Sequence, residues 1–542
     1  MNKKKVLFVL ILILSVFLRF YKISTVPTGL YSDEAAYGYN AYSILLTGKD
    51  EYGTHFPLAF KSFGDYKTPL YIYFMVPFVR VFGLTIEAVR YSSVFLGLAL
   101  IVIVYLLSGR MFQRSSVSLL SAFFVSVFPF GLQFNRMAHE NNLSVVLLSL
   151  GVLLFLYSFE YKKLIILSFI AFAMSMYAYH DTRVIVPCLL ASLLIIFRSQ
   201  LYDMKKQIGV AVVSGIILLL PFVDIVRSPD FWSRPSFTAV TTDAGIRNEI
   251  NQERGEDKLY GFLLPAFFHN KPLSYAFTFL DNYFKHFSAD FFFFRGDTVT
   301  IYRTLGNGVL YIAVLPFLVF GAYFLVRKKS VYNQVIIAWM IISPIPAALT
   351  RFVPSASRTL SLLPILSIIV AIGIVSLIDN KKYSNINRVI YLLITVVISF
   401  NVAYYLHMYY FNSPVRYAKD WHFGMQTVIN EVVNLQSKYK QVWFSRNAWG
   451  YIYPLFYMKY PPSEYQKEAK LSNLNEYGFG WVDGFGKYKF GDFPPKFENM
   501  RDTLFVGTPN DFPKLNNAIY TEYYPDKSKA FILADYDSLH TK

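Results

Sequence analysis

Apolar stretches of about 18 to 22 residues, nearly free of charge, recur along this chain, and each is long enough to cross a bilayer as a helix. "VLFVLILILSVFL", "VFLGLALIVIVYLLSG" and "SLLPILSIIVAIGIVSLI" are examples. Strands of a membrane barrel alternate apolar and polar residues, and these runs do not. A helix is the other backbone that satisfies its own N–H and C=O groups in hydrocarbon. Composition agrees: 54% of the 542 residues are hydrophobic and 16% are charged, against about 25% charged in a soluble domain. The expected fold class is a mainly α, polytopic membrane protein.

The net charge of +17 is explained by where the cations sit. Basic clusters fall in every second connection: Lys3, Lys4 and Lys5; Arg110 and Arg114; Lys162 and Lys163; Arg198, Lys205 and Lys206; Arg327, Lys328 and Lys329; Lys381, Lys382 and Arg388. The positive-inside rule places these connections in the cytoplasm and gives about eleven transmembrane helices. Cytoplasmic anchoring thus replaces nucleic acid as the reason for the basic balance. "MNKKK" precedes the first apolar run, but no small-x-small cleavage pattern comes before Arg19. The run therefore reads as an uncleaved first helix and not as a signal peptide. Cys188 is alone, which excludes an intrachain disulfide and a thiolate cluster.

Two regions are expected. Residues 1–407 form the membrane region, with two large outer connections. The first, Tyr31 to Ile86, interleaves aromatic and polar residues as interfacial helices do. The second, Arg227 to Leu305, ends in "NYFKHFSADFFFFRGD", whose phenylalanines either touch lipid or pack on the membrane helices. Residues 408–542 have near-balanced charge and no spanning run. There, "AKDWHFGMQTVINEVVNL" has helical periodicity, and "QVWFSR", "DTLFVG" and "KAFILADY" read as short strands. A small extracytoplasmic α/β domain follows from that pattern.

Ionisable residues gather at the outer ends of the helices, not at mid-membrane depth. Such one-sidedness suits an enzyme whose substrate is half lipid and half polar, and suits a translocation path poorly. "YSDEAAYGYNA" presents Asp33 and Glu34, which serve either as helix caps or as a general base. "FGDYKTPLYIY" sets Tyr66 and Lys67 before a proline-led helix, where the ammonium either snorkels or holds a phosphate. In "FNRMAHENNLS", Arg136 and Glu140 are spaced to pair on one helix face. "YAYHDTRVIVP" and "VPSASRTLSLLP" add His180, Arg183 and Arg358. One acid with several cations fits transfer from a glycosyl phosphate. The leaving phosphate needs cations and the acceptor needs a base, whereas glycosidases need two carboxylates flanking the bond.

These corners resemble those of the GT-C superfamily of membrane glycosyltransferases, in the branch of protein O-mannosyltransferases and the lipid A aminoarabinose transferase. "SDEAAYGYNA" is similar to the family's acidic pair after helix one. "YKTPLYIY" looks like its K-P-P-L-Y type corner, with Thr68 in place of the first proline. Arg136 with Glu140, "YHDTRVIVP" and "ASRTLSLLP" resemble its later outer corners. The resemblance covers the chain to about residue 380 and is weak in the tail.

The resemblance implies that Asp33 is the catalytic base and that Glu34 orients it or hydrogen-bonds the acceptor. Lys67 would hold the lipid-linked phosphate, with Tyr66, Arg136, Glu140, His180, Arg183 and Arg358 as further substrate-binding candidates. The implied reaction is inverting transfer of a monosaccharide from a polyprenyl-phosphate carrier to a lipid, glycan or protein acceptor. Its expected setting is the outer side of a bacterial plasma membrane, among membrane lipids. No cofactor is required on this reading; a divalent ion on the acidic pair and Glu140 is the alternative. The competing function is a transporter or flippase of lipid-linked sugars.

Overall fold

The structure, a computed structural model, describes residues 3–540 except 64, 228–236, 304, 379–386, 449, 474–479, 495–496, 498–499, 514 and 516. Lys381 and Lys382 of the expected inner connections lie outside the described residues, as does the start of the loop after Arg227. The N-terminal two fifths is helical: α1 (Lys3–Phe20), α2 (Ser32–Thr47), α3 (Pro69–Phe82), α4 (Ile86–Phe112), α5 (Ser115–Val127), α6 (Pro129–Asn135), α7 (Asn141–Tyr157), α8 (Leu164–Ala178) and α9 (Thr182–Ile196). A hairpin of β1 (Phe60–Ser62) and β2 (Asp65–Lys67) interrupts it. Among the described residues four helices are long and apolar enough to cross a membrane: α4, Arg198–Arg227, Val331–Ala348 and Leu392–Arg416. α5 and α6 together are apolar enough to cross but are bent by 55°, the geometry of a broken span or a re-entrant loop. The bend falls at Phe128, whose extended backbone is the conformation a following proline imposes. Shorter apolar helices, α3 and α7 to α9 among them, accompany these.

By contact the chain divides into two compact units. The first comprises Met1–Val16, Gly97–Gln133 and Asn141–Leu406. Its central helix, Leu362–Ile378, is apolar on every side and buried from Leu362 through Val375, as a helix ringed by others must be. It meets the Leu315–Arg327 helix at two glycines. A Cβ on Gly373 would lie 1.9 Å from the Phe317 carbonyl oxygen, and one on Gly321 would lie 2.0 Å from that of Ile369. Backbone touches backbone here, the contact that small residues permit between membrane helices. Within the aromatic run, Phe291, Phe292 and Phe293 are buried and Phe294 is exposed, so packing claims three rings of the four. The Arg198–Arg227 and Leu392–Arg416 helices differ from the central one. Only 17% of the most apolar stretch of each is buried in protein.

The second unit comprises Phe17–Leu96, Phe134–Glu140 and His407–Lys542. It joins the connection between α1 and α4 to the tail. The tail carries a seven-stranded mixed sheet of β3 (Gln441–Phe444), β4 (Lys470–Leu471), β5 (Val482–Phe485), β6 (Tyr488–Phe490), β7 (Thr503–Gly507), β8 (Tyr520–Tyr523) and β9 (Lys529–Ala534). Strand order is β4-β5-β6-β3-β7-β9-β8, with β3 parallel to both β6 and β7. The three strands read from sequence, β3, β7 and β9, are those with the longest apolar runs. The expected helix begins only at Met425 and runs to Leu435. Ahead of it the chain turns sharply, with His422 and Gly424 both in the left-handed region at φ 52° and 87°.

The glycine crossing gives a stability prediction. Gly373→Val pushes a branched side chain into a backbone oxygen, and overpacking costs about 1–3 kcal/mol. The apparent melting temperature of the detergent-solubilised protein should fall, while Gly209→Val, at a position with open space, should leave it unchanged.

Candidate active site

The acidic pair opens α2, the helix end at which the macrodipole favours negative charge. The two carboxylates have different surroundings. Glu34 is fully buried. It accepts from Arg90 Nε at 3.1 Å and Nη2 at 3.0 Å, from the Ala138 N–H at 2.8 Å and from the Tyr31 N–H at 3.1 Å. Four donors fill the lone-pair sites of one carboxylate. Asp33 keeps a side chain that is 37% exposed and meets the Lys67 ammonium at 2.6 Å.

Arg90 lies one turn into α4 and is itself fully buried. Its remaining N–H groups go to the carbonyls of Ile23, Pro27 and Gly29. All five guanidinium donors are thus used, and the connection from α1 to α2 is drawn onto the same cation that holds Glu34. The sequence reading left Arg90 out. Its signal was available: an arginine in the first turn and a half of a 27-residue apolar helix has to be paired.

Lys67 ends β2, where the hairpin pairs it with Phe60. Thr68 caps α3 and Pro69 starts it. The ammonium lies 4.8 Å from the Tyr37 ring centroid and 5.9 Å from that of Phe63, so aromatic faces replace much of its water. Glu140 is buried and accepts the Thr68 hydroxyl at 2.6 Å. It braces the residue next to Lys67. Tyr66 precedes Lys67 in the hairpin, opposite Lys61.

The expected Arg136–Glu140 pair is not made. α6 ends at Asn135, so the two residues lie on a turn and not on one helix face. Arg136 is fully buried and donates to the carbonyls of Leu18 and Arg19 at 2.6 and 2.9 Å, and of Tyr21 and Val26 at 2.7 and 2.8 Å. A cation at the carbonyl end of α1 is well placed against the helix dipole. In this arrangement Arg136 braces the C-terminal end of α1 and the turn after it.

His180, Arg183 and Arg358 belong to the first unit. Arg183 lies over the Phe222 ring at 4.7 Å. Arg358 donates to Thr350 Oγ1 at 2.9 Å. The corner bearing it is organised by Asp297, which accepts the backbone N–H groups of Ala356 and Ser357. Burial raises the Asp297 carboxyl to about 6. Among the described residues no three His, Cys, Asp or Glu side chains converge as a metal site. A cation bridging the acidic pair and Glu140 would have to displace Arg90 from Glu34.

A second carboxyl stands near the site. Glu51 is fully buried, and burial raises it to about 8, with Asp50 adding to the shift. Its Oε1 accepts from Tyr451 at 3.2 Å, and its Oε2 has no partner among the described residues.

Residues 66–223, which include the Lys67 corner, Arg90, Glu140 and Arg183, match the family of dolichyl-phosphate-mannose-protein mannosyltransferases. The fold recurs across 99% of both chains in ArnT from Cupriavidus metallidurans. The apo form has a TM-score of 0.57 and 12% identity, and the form bound to undecaprenyl phosphate has 0.56 and 12%. The Archaeoglobus fulgidus oligosaccharyltransferase, in complex with Zn and sulfate, matches at TM-score 0.52 and 11% identity, over 98% of this chain and 73% of its own. No curated protein gives a sequence match. At these identities the chain shares the fold of those proteins, and its apolar helices mark a multi-pass membrane protein. The match to the mannosyltransferase family is confined to residues 66–223, less than a third of the chain.

Two predictions follow from the buried carboxyls. Glu34→Gln leaves Arg90 as an uncompensated buried charge, and breaking such a pair costs about 3–5 kcal/mol. Thermal unfolding should therefore shift down strongly in Glu34→Gln, and less in Asp33→Asn. For Glu51 the folded chain holds a proton that the unfolded chain releases near pH 4.5. Its contribution to stability is full below that value, falls as pH rises and levels off above about pH 8. Glu51→Gln should remove this slope, so its melting temperature should exceed wild type more at pH 8 than at pH 5.

Proposed function

We propose that the protein transfers a monosaccharide from a polyprenyl-phosphate carrier to a hydroxyl acceptor at the outer face of the plasma membrane, in a single inverting displacement. The observation that carries this reading is the contact between one half-exposed carboxylate, Asp33, and one ammonium in an aromatic surround, Lys67. Beside them Glu34 is fully committed to Arg90 and two backbone N–H groups. Asp33 is the exposed member of the pair and the base of this reading. Lys67 uses one of its three N–H bonds on Asp33 and can turn the others toward a phosphate. That a protein of this fold binds undecaprenyl phosphate supports a lipid-phosphate ligand.

The chemistry is then as follows. The donor phosphate draws the Lys67 ammonium toward itself and loosens its hold on Asp33. The acceptor oxygen attacks the anomeric carbon and its proton passes to Asp33. The bond from that carbon to the phosphate oxygen breaks, and polyprenyl phosphate departs with the electron pair, its charge balanced by Lys67. Glu34 and Glu140 act through backbone and hydroxyl contacts, holding the two reacting groups at a fixed separation. Lys67 is the cation of this reading, and no metal takes part. The sugar and the acceptor are set by pocket shape.

Asp33→Asn should lower transfer of a radiolabelled sugar from its lipid carrier by about 10² to 10⁴, the usual contribution of a positioned base. Donor binding, measured separately in nanodiscs, should change little. Lys67→Ala should weaken donor binding as well as transfer. Full transfer by Asp33→Asn would refute the assignment.

A further inference from the structure

We propose that the tail corner Asp420–Gly424 positions the catalytic carboxylate, with His422 acting through Tyr31 and Tyr453 on the backbone that leads into α2. This rests on the role given to Asp33 above.

The corner packs directly on the residues before the acidic pair. A Cβ on Gly29 would lie 1.9 Å from the Trp421 carbonyl oxygen and 3.1 Å from the Phe423 nitrogen. Glycine at 29 is what lets the tail backbone approach so closely. The next residue, Leu30, presents its carbonyl to the Tyr453 hydroxyl at 3.1 Å. Tyr453 belongs to the tail helix Ile452–Tyr457, and its hydroxyl also meets His422 Nδ1. Because Tyr453 donates its one proton to Leu30, the Nδ1 of His422 must be the donor to Tyr453. The chain of bonds runs from imidazole N–H to phenol to backbone carbonyl. His422 is buried and its pKa is lowered to about 3, so the ring is neutral and keeps this single arrangement.

The third contact falls on Tyr31, the cap residue of α2. Its ring stacks on that of His422 with centroids 5.5 Å apart at 21°, and meets Trp421 edge-on at 6.3 Å. Trp421 also lies 5.8 Å from the Arg90 guanidinium, closing over the pair that holds Glu34. Residues 29, 30 and 31 are therefore each fixed by a different atom group of the tail. Asp33 follows two residues later, and its charge is felt at both His422 and Tyr31. A corner folded this tightly needs left-handed backbone at His422 and Gly424, which is its own cost. The arrangement makes the tail part of the catalytic apparatus without touching substrate.

The test separates position from activity. Cys188, the chain's one cysteine, is replaced by Ala, and Asp33→Cys supplies a thiol beside Lys67. A neighbouring ammonium favours the thiolate, the form that reacts with iodoacetamide. Adding His422→Ala should slow alkylation of residue 33 at pH 7 several-fold, as should Tyr453→Phe. His422→Asn, whose amide N–H can replace that of Nδ1, should restore most of the rate. An unchanged or faster rate in both His422→Ala and Tyr453→Phe overturns the proposal. With Asp33 intact, the same substitutions should lower kcat by about 10- to 100-fold, the penalty of a misplacement near 1 Å. The KM for donor should stay within twofold, and a loss confined to KM overturns the proposal. If His422→Ala does not fold, His422→Asn and Tyr453→Phe carry both arms. A wild-type protein that transfers no sugar refutes the proposed function alone, since alkylation still decides the positioning.

Discussion

The buried ion pair between Arg90 and Glu34 organises the candidate site. Two opposite charges removed from water are costly unless every polar atom is matched, and here they are matched: five donors and four acceptor sites are used. The partners come from three places in the chain, the loop after α1, the start of α2 and the corner after α6. An uncharged pair of similar volume could fill the space, but it would not fix the direction in which α2 begins. That direction decides which of two adjacent acids faces Lys67.

Functional asymmetry between neighbours in sequence thus comes from partners far away in it. Asp33 and Glu34 carry the same group one residue apart, and a sequence offers no way to rank them. Their difference is made by Arg90, 56 positions on, and by Ala138, 104 positions on from Glu34. The family resemblance carried the ranking instead. Spacing alone misled at Arg136 and Glu140, because a four-residue interval means proximity only where the helix continues, and α6 stops at Asn135. The membrane class was legible because hydrocarbon imposes length and apolarity on every crossing. In the tail, β3, β7 and β9 were readable from their buried apolar runs. The two- to four-residue strands β4, β5, β6 and β8 exist because neighbours supply their pairing, and no local pattern marks them.

The tail carries its own sheet but is not a compact unit by itself. By contact it shares a compact unit with the first outer loop. Tyr451 reaches Glu51, Tyr453 reaches Leu30, and Tyr39 donates to the Tyr460 carbonyl at 2.9 Å. Tyrosine suits these contacts because each ring buries apolar area while its hydroxyl satisfies a buried oxygen. A loop and a tail separated by more than 300 residues are thereby made into one body.

The two sparsely packed helices, Arg198–Arg227 and Leu392–Arg416, have another consequence. Val213, Ile216, Ile217 and Leu220 on one, and Leu392, Leu393 and Phe400 on the other, are all more than half exposed. With so little protein around them, their tilt is governed by the thickness of the surrounding acyl chains. The apolar stretch of the first, Ile208 to Val226, makes about 28 Å of helix, close to a hydrocarbon slab of about 30 Å. Lipids of longer or shorter chain would mismatch that length, making bilayer composition a variable of the protein's geometry.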